Sequence, residues 1–119
     1  MTEPSIEVLA RRYFGAFQAA DLATMEALLA SDFTFTSPFD DHIDRAAYFA
    51  RCWPHAGSFG FRDIRVYDGG EECVVVYATE QKTGGIFRNA ERFRFADGRI
   101  RSIEVFFGFL PKGLLADPA

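Results

Sequence analysis

The chain has 119 residues, 49% of them hydrophobic and 25% charged, with a formal net charge of −4 and 14 phenylalanines. Such a length and balance suit one soluble globular domain with a real core, residues 1–119, and the acidic surplus removes the positive field that phosphate recognition needs, so no nucleic-acid partner is expected. No run approaches the roughly 18 apolar residues of a membrane span, and the opening residues lack a basic stretch followed by an apolar one, so no membrane contact and a cytoplasmic location are expected.

From Pro4 to Ala20 the apolar residues Ile6, Leu9, Tyr13, Ala16, Phe17 and Ala20 recur at helical spacing, with Thr2 or Ser5 available as a cap. Asp21 reads as the cap of a shorter second helix that buries Leu22, Met25, Leu28 and Leu29 and stops near Ser31. Phe33 to Thr36 alternates as a strand does, and Pro38 ends or edges it. Asp44 then caps a third helix carrying Tyr48, Phe49, Cys52 and Trp53, closed by Pro54. Strands follow at about Phe61 to Tyr67, Cys73 to Lys82, Phe87 to Phe95 and Arg99 to Phe109, joined by short Gly-containing turns that force antiparallel pairing. Residues 110–119 read as a loosely attached tail.

Helices first and strands after imply an α+β fold, a strongly bent, mostly antiparallel sheet wrapped on three helices of the N-terminal half to form a cone. So many phenylalanines imply an aromatic core, an apolar cavity or a covered surface. On the strand from Phe87 the residues Asn89, Glu91, Phe93 and Phe95 share one face and Arg88, Ala90, Arg92 and Arg94 the other. The phenylalanines mark the inner face, so Glu91 is expected to point inward. On the last strand Ile103, Val105 and Phe107 share the inner face, while Glu104 can pair with the outer arginines and Phe106 hints at a homodimer interface through the outer sheet face.

The run from Ala10 to Pro38, ARRYFGAFQAADLATMEALLASDFTFTSP, together with NAERFRFADGRIRSIEVFFG from Asn89 to Gly108, resembles the nuclear transport factor 2-like (cystatin-like) superfamily in its SnoaL-like and ketosteroid isomerase-like branch. The resemblance implies the cone fold and a pocket for a small apolar ligand or substrate. In the steroid isomerases a helix tyrosine and a neutral strand acid hold a developing oxyanion while an aspartate before a proline moves the proton. By that resemblance Tyr13 is the tyrosine and Glu91 the acid, but Ser37 stands before Pro38 where the base belongs. A serine hydroxyl lacks carboxylate basicity, so steroid isomerisation is not expected.

Each candidate carries two readings. Tyr13 either donates a hydrogen bond into the cavity or packs the sheet. Glu91 is either a neutral or hydrogen-bonded pocket acid or an ion-pair partner of an arginine near the mouth. Asp40, Asp41 and His42 supply the missing base from the rim, or form a solvated acidic loop. Cys52 and Trp53 close the wide end of the cavity, Cys52 as a core residue or a nucleophile, with Phe17, Ser37, Tyr48, Asn89, Phe93, Ile103, Val105 and Phe107 as further lining. The facing of Glu80 stays open, and His55 reads as a surface residue. Cys52 and Cys73 lack CxxC spacing and read as free thiols, and neither a metal nor any other cofactor is expected. Two functions follow from different classes: a cofactor-independent isomerase, cyclase or hydratase acting on a small apolar carbonyl compound, or a non-catalytic module that binds a small ligand or dimerises.

Overall fold

Three helices lie against one face of a six-stranded sheet in a computed structural model that describes residues 4–82 and 84–108. The expected tail lies outside those residues, as does the expected end of the last strand at Phe109. In chain order the elements are α1 (Ile6–Ala19), α2 (Leu22–Leu28), β1 (Leu29–Ser37), β2 (Asp40–Asp44), α3 (Arg45–Arg51), a 3-10 turn (Trp53–His55), β3 (Phe59–Asp68), β4 (Glu72–Gln81), β5 (Ile86–Ala96) and β6 (Arg99–Phe107). The sheet order is β2-β1-β6-β5-β4-β3. Every pairing is antiparallel except β1 with β6.

Local chemistry sets the element ends. Ser5 caps α1 by accepting the Val8 N–H, Asp21 caps α2 through Thr24, and Asp44 caps α3 through Ala47. At the far end of α1, Ala20 takes the left-handed conformation, φ 54°, so that its N–H reaches the Ala16 and Phe17 carbonyls. Between β5 and β6, Asp97 and Gly98 both have positive φ, the signature of a two-residue hairpin turn whose twist matches the strands.

The α1 stripe that meets the sheet is Leu9, Ala10, Tyr13, Phe14, Ala16 and Phe17, and Phe14 joins it although it lay outside the expected set. Leu22, expected inside, is exposed. Leu29 is buried, but as the first residue of β1 rather than on a helix, because the chain turns into the sheet four residues before the alternating phenylalanines begin. The segment expected as an acidic loop is strand β2: Ser37 Oγ accepts the Phe39 N–H at 3.1 Å, and the chain reverses over Pro38 and Phe39 to pair with β1.

Register shifts in β1–β2, β1–β6, β3–β4 and β5–β6 mark bulges, which bend strands and let the sheet curve around the helices. The concave side holds the core, in which Phe33, Tyr48, Phe93, Met25, Leu29 and Ile100 are fully buried. On the convex side Glu72 pairs with Arg92 at 3.0 Å and Arg94 at 3.2 Å. The acid expected there was Glu104; it stands opposite Arg92 in the β5–β6 register, but Glu72 takes the ion pair.

Candidate functional site

A cavity of about 380 Å³ opens between α1, α3 and the concave sheet face. Its walls are chiefly aromatic, among them Phe14, Phe17, Phe35, Phe59, Phe61 and Phe87. Two polar clusters interrupt them.

Glu91 forms the first. The β5 alternation carries its carboxyl to the concave face, where it is 6% exposed. Tyr77 donates its hydroxyl to Glu91 Oε1 at 2.6 Å, and the Asn89 amide donates to the Tyr77 oxygen at 3.4 Å. Asn89 is fixed in turn, since its Oδ1 accepts the Gly108 N–H. Glu91 Oε2 has no hydrogen-bond partner among the described residues. Burial raises the Glu91 pKa to about 7, against the Tyr77 hydrogen bond, which lowers it. The same burial, reinforced by the nearby carboxyl of Glu91, drives the Tyr77 hydroxyl well above the usual phenol range.

Tyr13 and Tyr48 form the second cluster, their hydroxyl oxygens 2.7 Å apart and both buried. One hydroxyl donates to the other, so the pair keeps one O–H that their mutual bond does not use. Burial raises both pKa values, with a further push on each from Glu91, so both stay protonated donors.

At the rim, Asp40 is the cross-strand partner of Ser37 and both line the cavity. The hairpin thus supplies a carboxylate where residue 37 has none. Arg51 Nη2 lies 2.6 Å from Asp40 Oδ1, an ion pair by distance although its angles fall outside hydrogen-bond geometry. Cys52 also lines the cavity; burial pushes its thiol up to about 11, with the Asp40 carboxylate adding to the effect, which is the reverse of what a nucleophilic thiolate requires.

Among the expected lining residues, Phe17, Tyr48, Asn89, Val105 and Phe107 face the cavity with Tyr13, Glu91, Asp40, Ser37 and Cys52. Five others lie elsewhere. Asp41 and His42 pair with each other in solvent, because His42 sits at φ 50° with its N–H on Thr36 Oγ1, on the convex side. Trp53 packs edge-on against Phe17 and against Phe49, behind the wall rather than in it. Phe93 and Ile103 are wholly buried core residues. His55 is exposed, as expected, and with Arg51 it also lines the cavity. Glu80 points away from the cavity and pairs with Arg62 at 2.7 Å. Tyr77 and Thr79 line the cavity without having been among the expected residues, although the alternation Cys73, Val75, Tyr77, Thr79 on β4 carries the signal. Among the described residues no group of three His, Cys, Asp or Glu is placed to hold a metal, and no helix is long and apolar enough to cross a membrane.

The model of the SnoaL-like domain matches residues 10–103. The chain belongs to the SnoaL-like family. No curated protein sequence matches it. Solved structures similar to this SnoaL-like chain include a protein of unknown function with a cystatin-like fold from Xanthomonas campestris, at 16% identity and TM-score 0.76, covering 89% of this chain and 92% of the other. A candidate polyketide cyclase from Sinorhizobium meliloti has 19% identity and TM-score 0.69, covering 82% and 93%. Another from Pseudomonas putida has 17% identity and TM-score 0.71, covering 83% and 88%. At such identities the likeness establishes the nuclear transport factor 2-like fold and leaves the chemistry to the site itself.

Proposed function

We propose that this SnoaL-like protein is a cofactor-independent acid–base enzyme of the isomerase, cyclase or hydratase kind, acting on a small apolar carbonyl compound. One observation carries the reading: a carboxyl in an aromatic cavity, held by Tyr77 through one oxygen and unpartnered at the other, with a pKa of about 7. A protonated Glu91 Oε2 donates to the substrate carbonyl oxygen, and the spare O–H of the Tyr13–Tyr48 pair supplies a second donor. Asp40 takes a proton from the carbon beside the carbonyl. The C–H electron pair moves into the new C=C bond, the carbonyl π pair moves onto oxygen, and the enolate is held by those two donors. Return of the proton to another carbon is isomerisation; attack of the enolate carbon on a second carbonyl is cyclisation.

Exchange of the α-hydrogens of 2-tetralone in D2O, followed by proton NMR, tests this scheme. The protein is expected to accelerate exchange over buffer, and Asp40→Asn to lower that acceleration by about 10²-fold or more. No acceleration by the unmodified protein favours the alternative, a non-catalytic ligand-binding module.

We also propose self-association through the convex sheet face. Val76, Ala90 and Phe106 stand side by side across β4, β5 and β6, and Phe106 is 51% exposed. Arg92, Arg94, Glu72 and Glu104 flank this row, so a second copy turned about a two-fold axis sets arginine against glutamate. Sedimentation velocity should show a dimer that Phe106→Glu converts to monomer; a monomeric parent protein at tens of micromolar overturns the assignment.

A further inference from the structure

Besides Glu91 Oε2 and the ion-paired Asp40 Oδ1, the cavity wall holds one more buried oxygen without a hydrogen-bond partner among the described residues: Thr79 Oγ1, on a residue only 3% exposed. A buried hydroxyl left alone is destabilising, so its partner is expected to be something that enters the cavity. Thr79 and Glu91 lie on the same concave face but not at the same depth. The cross-strand partner of Thr79 is Phe87, and Glu91 lies two pleats further along the same strand. Four strand residues place the two backbone positions about 13 Å apart. Taking the two side-chain oxygens to keep that backbone spacing, a hydrogen bond of about 2.8 Å at each end leaves about 7–8 Å between the two ligand oxygens.

The wall between these anchors is aromatic. Phe14 and Phe61 flank Tyr77 with ring centroids at 4.7 and 5.5 Å, and all three rings line the cavity. Such walls favour a flat apolar body over a flexible polar one.

We infer that the ligand is a planar, apolar compound of about two fused rings' length with an oxygen function at each end, one anchored by Glu91 and the other by Thr79. The Glu91 half rests on the function proposed above; the Thr79 half is new and sets specificity for the distal oxygen.

Titration calorimetry with 2-naphthol and 2,6-dihydroxynaphthalene separates the two halves. The parent protein is expected to bind the diol about five- to tenfold more tightly than the mono-ol, the effect of one net hydrogen bond. Thr79→Val swaps the hydroxyl for a methyl of similar shape and should collapse that ratio toward one, chiefly by weakening the diol. Thr79→Ser keeps the hydroxyl and should keep the ratio, which guards against a mere packing effect. Glu91→Gln should weaken both ligands and leave the ratio. A ratio that survives Thr79→Val overturns the Thr79 anchor while the Glu91 reading stands. Undiminished binding of both by Glu91→Gln, with the ratio still lost in Thr79→Val, sinks the Glu91 role and keeps Thr79. Equal affinity of the parent protein for both compounds, or binding of neither, overturns the inference.

Discussion

Between pH 4.5 and 7 the protein should lose stability as pH rises, by about 3 kcal/mol from Glu91 alone. The sign follows from where the proton sits. In the unfolded chain Glu91 titrates near the ordinary glutamate value of 4.5, and in the folded protein near 7. Below pH 4.5 both states hold the proton; between the two values only the folded state does; above 7 a bare carboxylate remains buried with Tyr77 as its one donor. The unfolding free energy therefore falls through this window and levels off above it. Asp21 and Glu72, whose pKa values are lowered by hydrogen bonds to Thr24 and Arg92, act in the opposite sense and lose their contribution as pH falls. Subtracting the urea-unfolding profile of Glu91→Gln from that of the parent isolates Glu91, because glutamine cannot titrate. Tyr77→Phe removes the bond that holds the carboxyl down, so carbon NMR of the Glu91 carboxyl should show its midpoint moving above 7. A flat difference profile, or a carboxyl titrating near 4.5, removes the basis for a proton-donating Glu91.

Period-two alternation makes Glu91 legible in the sequence itself. Asn89, Glu91 and Phe93 alternate with Arg88, Ala90, Arg92 and Arg94 so regularly that one face had to be inside, and their exposures of 8%, 6% and 0% follow. Strands β3 to β6 were equally readable, because each pair is joined by a turn containing glycine. Around Asp40 the same logic ran out. The segment Asp40-Asp41-His42 has strand geometry but polar composition, and what makes it a strand is the Ser37 and Pro38 turn together with pairing to β1. Composition therefore suggested a loop, and it hid that only Asp40 of the three meets the cavity while Asp41 and His42 face solvent. Tyr77 illustrates a different limit. Its parity was available in the sequence, but its importance comes from contact with Glu91 on the neighbouring strand, which is a matter of register and not of local pattern. The parallel pairing of β1 with β6 is likewise non-local, since about 60 residues separate strands that no short turn connects.

The phenylalanines should divide sharply when each is replaced by alanine, and the division decides whether the hollow is a ligand chamber or part of the core. Phe14, Phe33 and Phe93 are at most 2% exposed, Phe14 although one side of it also borders the cavity. Phe93 lies between Tyr13, Phe14 and Phe95 at centroid distances of 5.3, 5.8 and 6.2 Å, so its removal leaves a closed void that its neighbours cannot fill. Each of these three substitutions should lower the unfolding free energy by about 3–5 kcal/mol. Phe39 and Phe107 pack against each other with tilted rings, centroids 5.7 Å apart, Phe39 in the β1–β2 turn and Phe107 at the end of β6, and both line the cavity. Phe39 is 57% exposed. Truncating either one widens an opening instead of creating a void, so the loss should be about 1 kcal/mol or less, since little additional area leaves the protein interior. Urea unfolding at constant pH measures all five. If Phe39 and Phe107 prove as destabilising as the three core rings, they seal the molecule as packing residues, and the space beneath them is a buried defect with no ligand to hold.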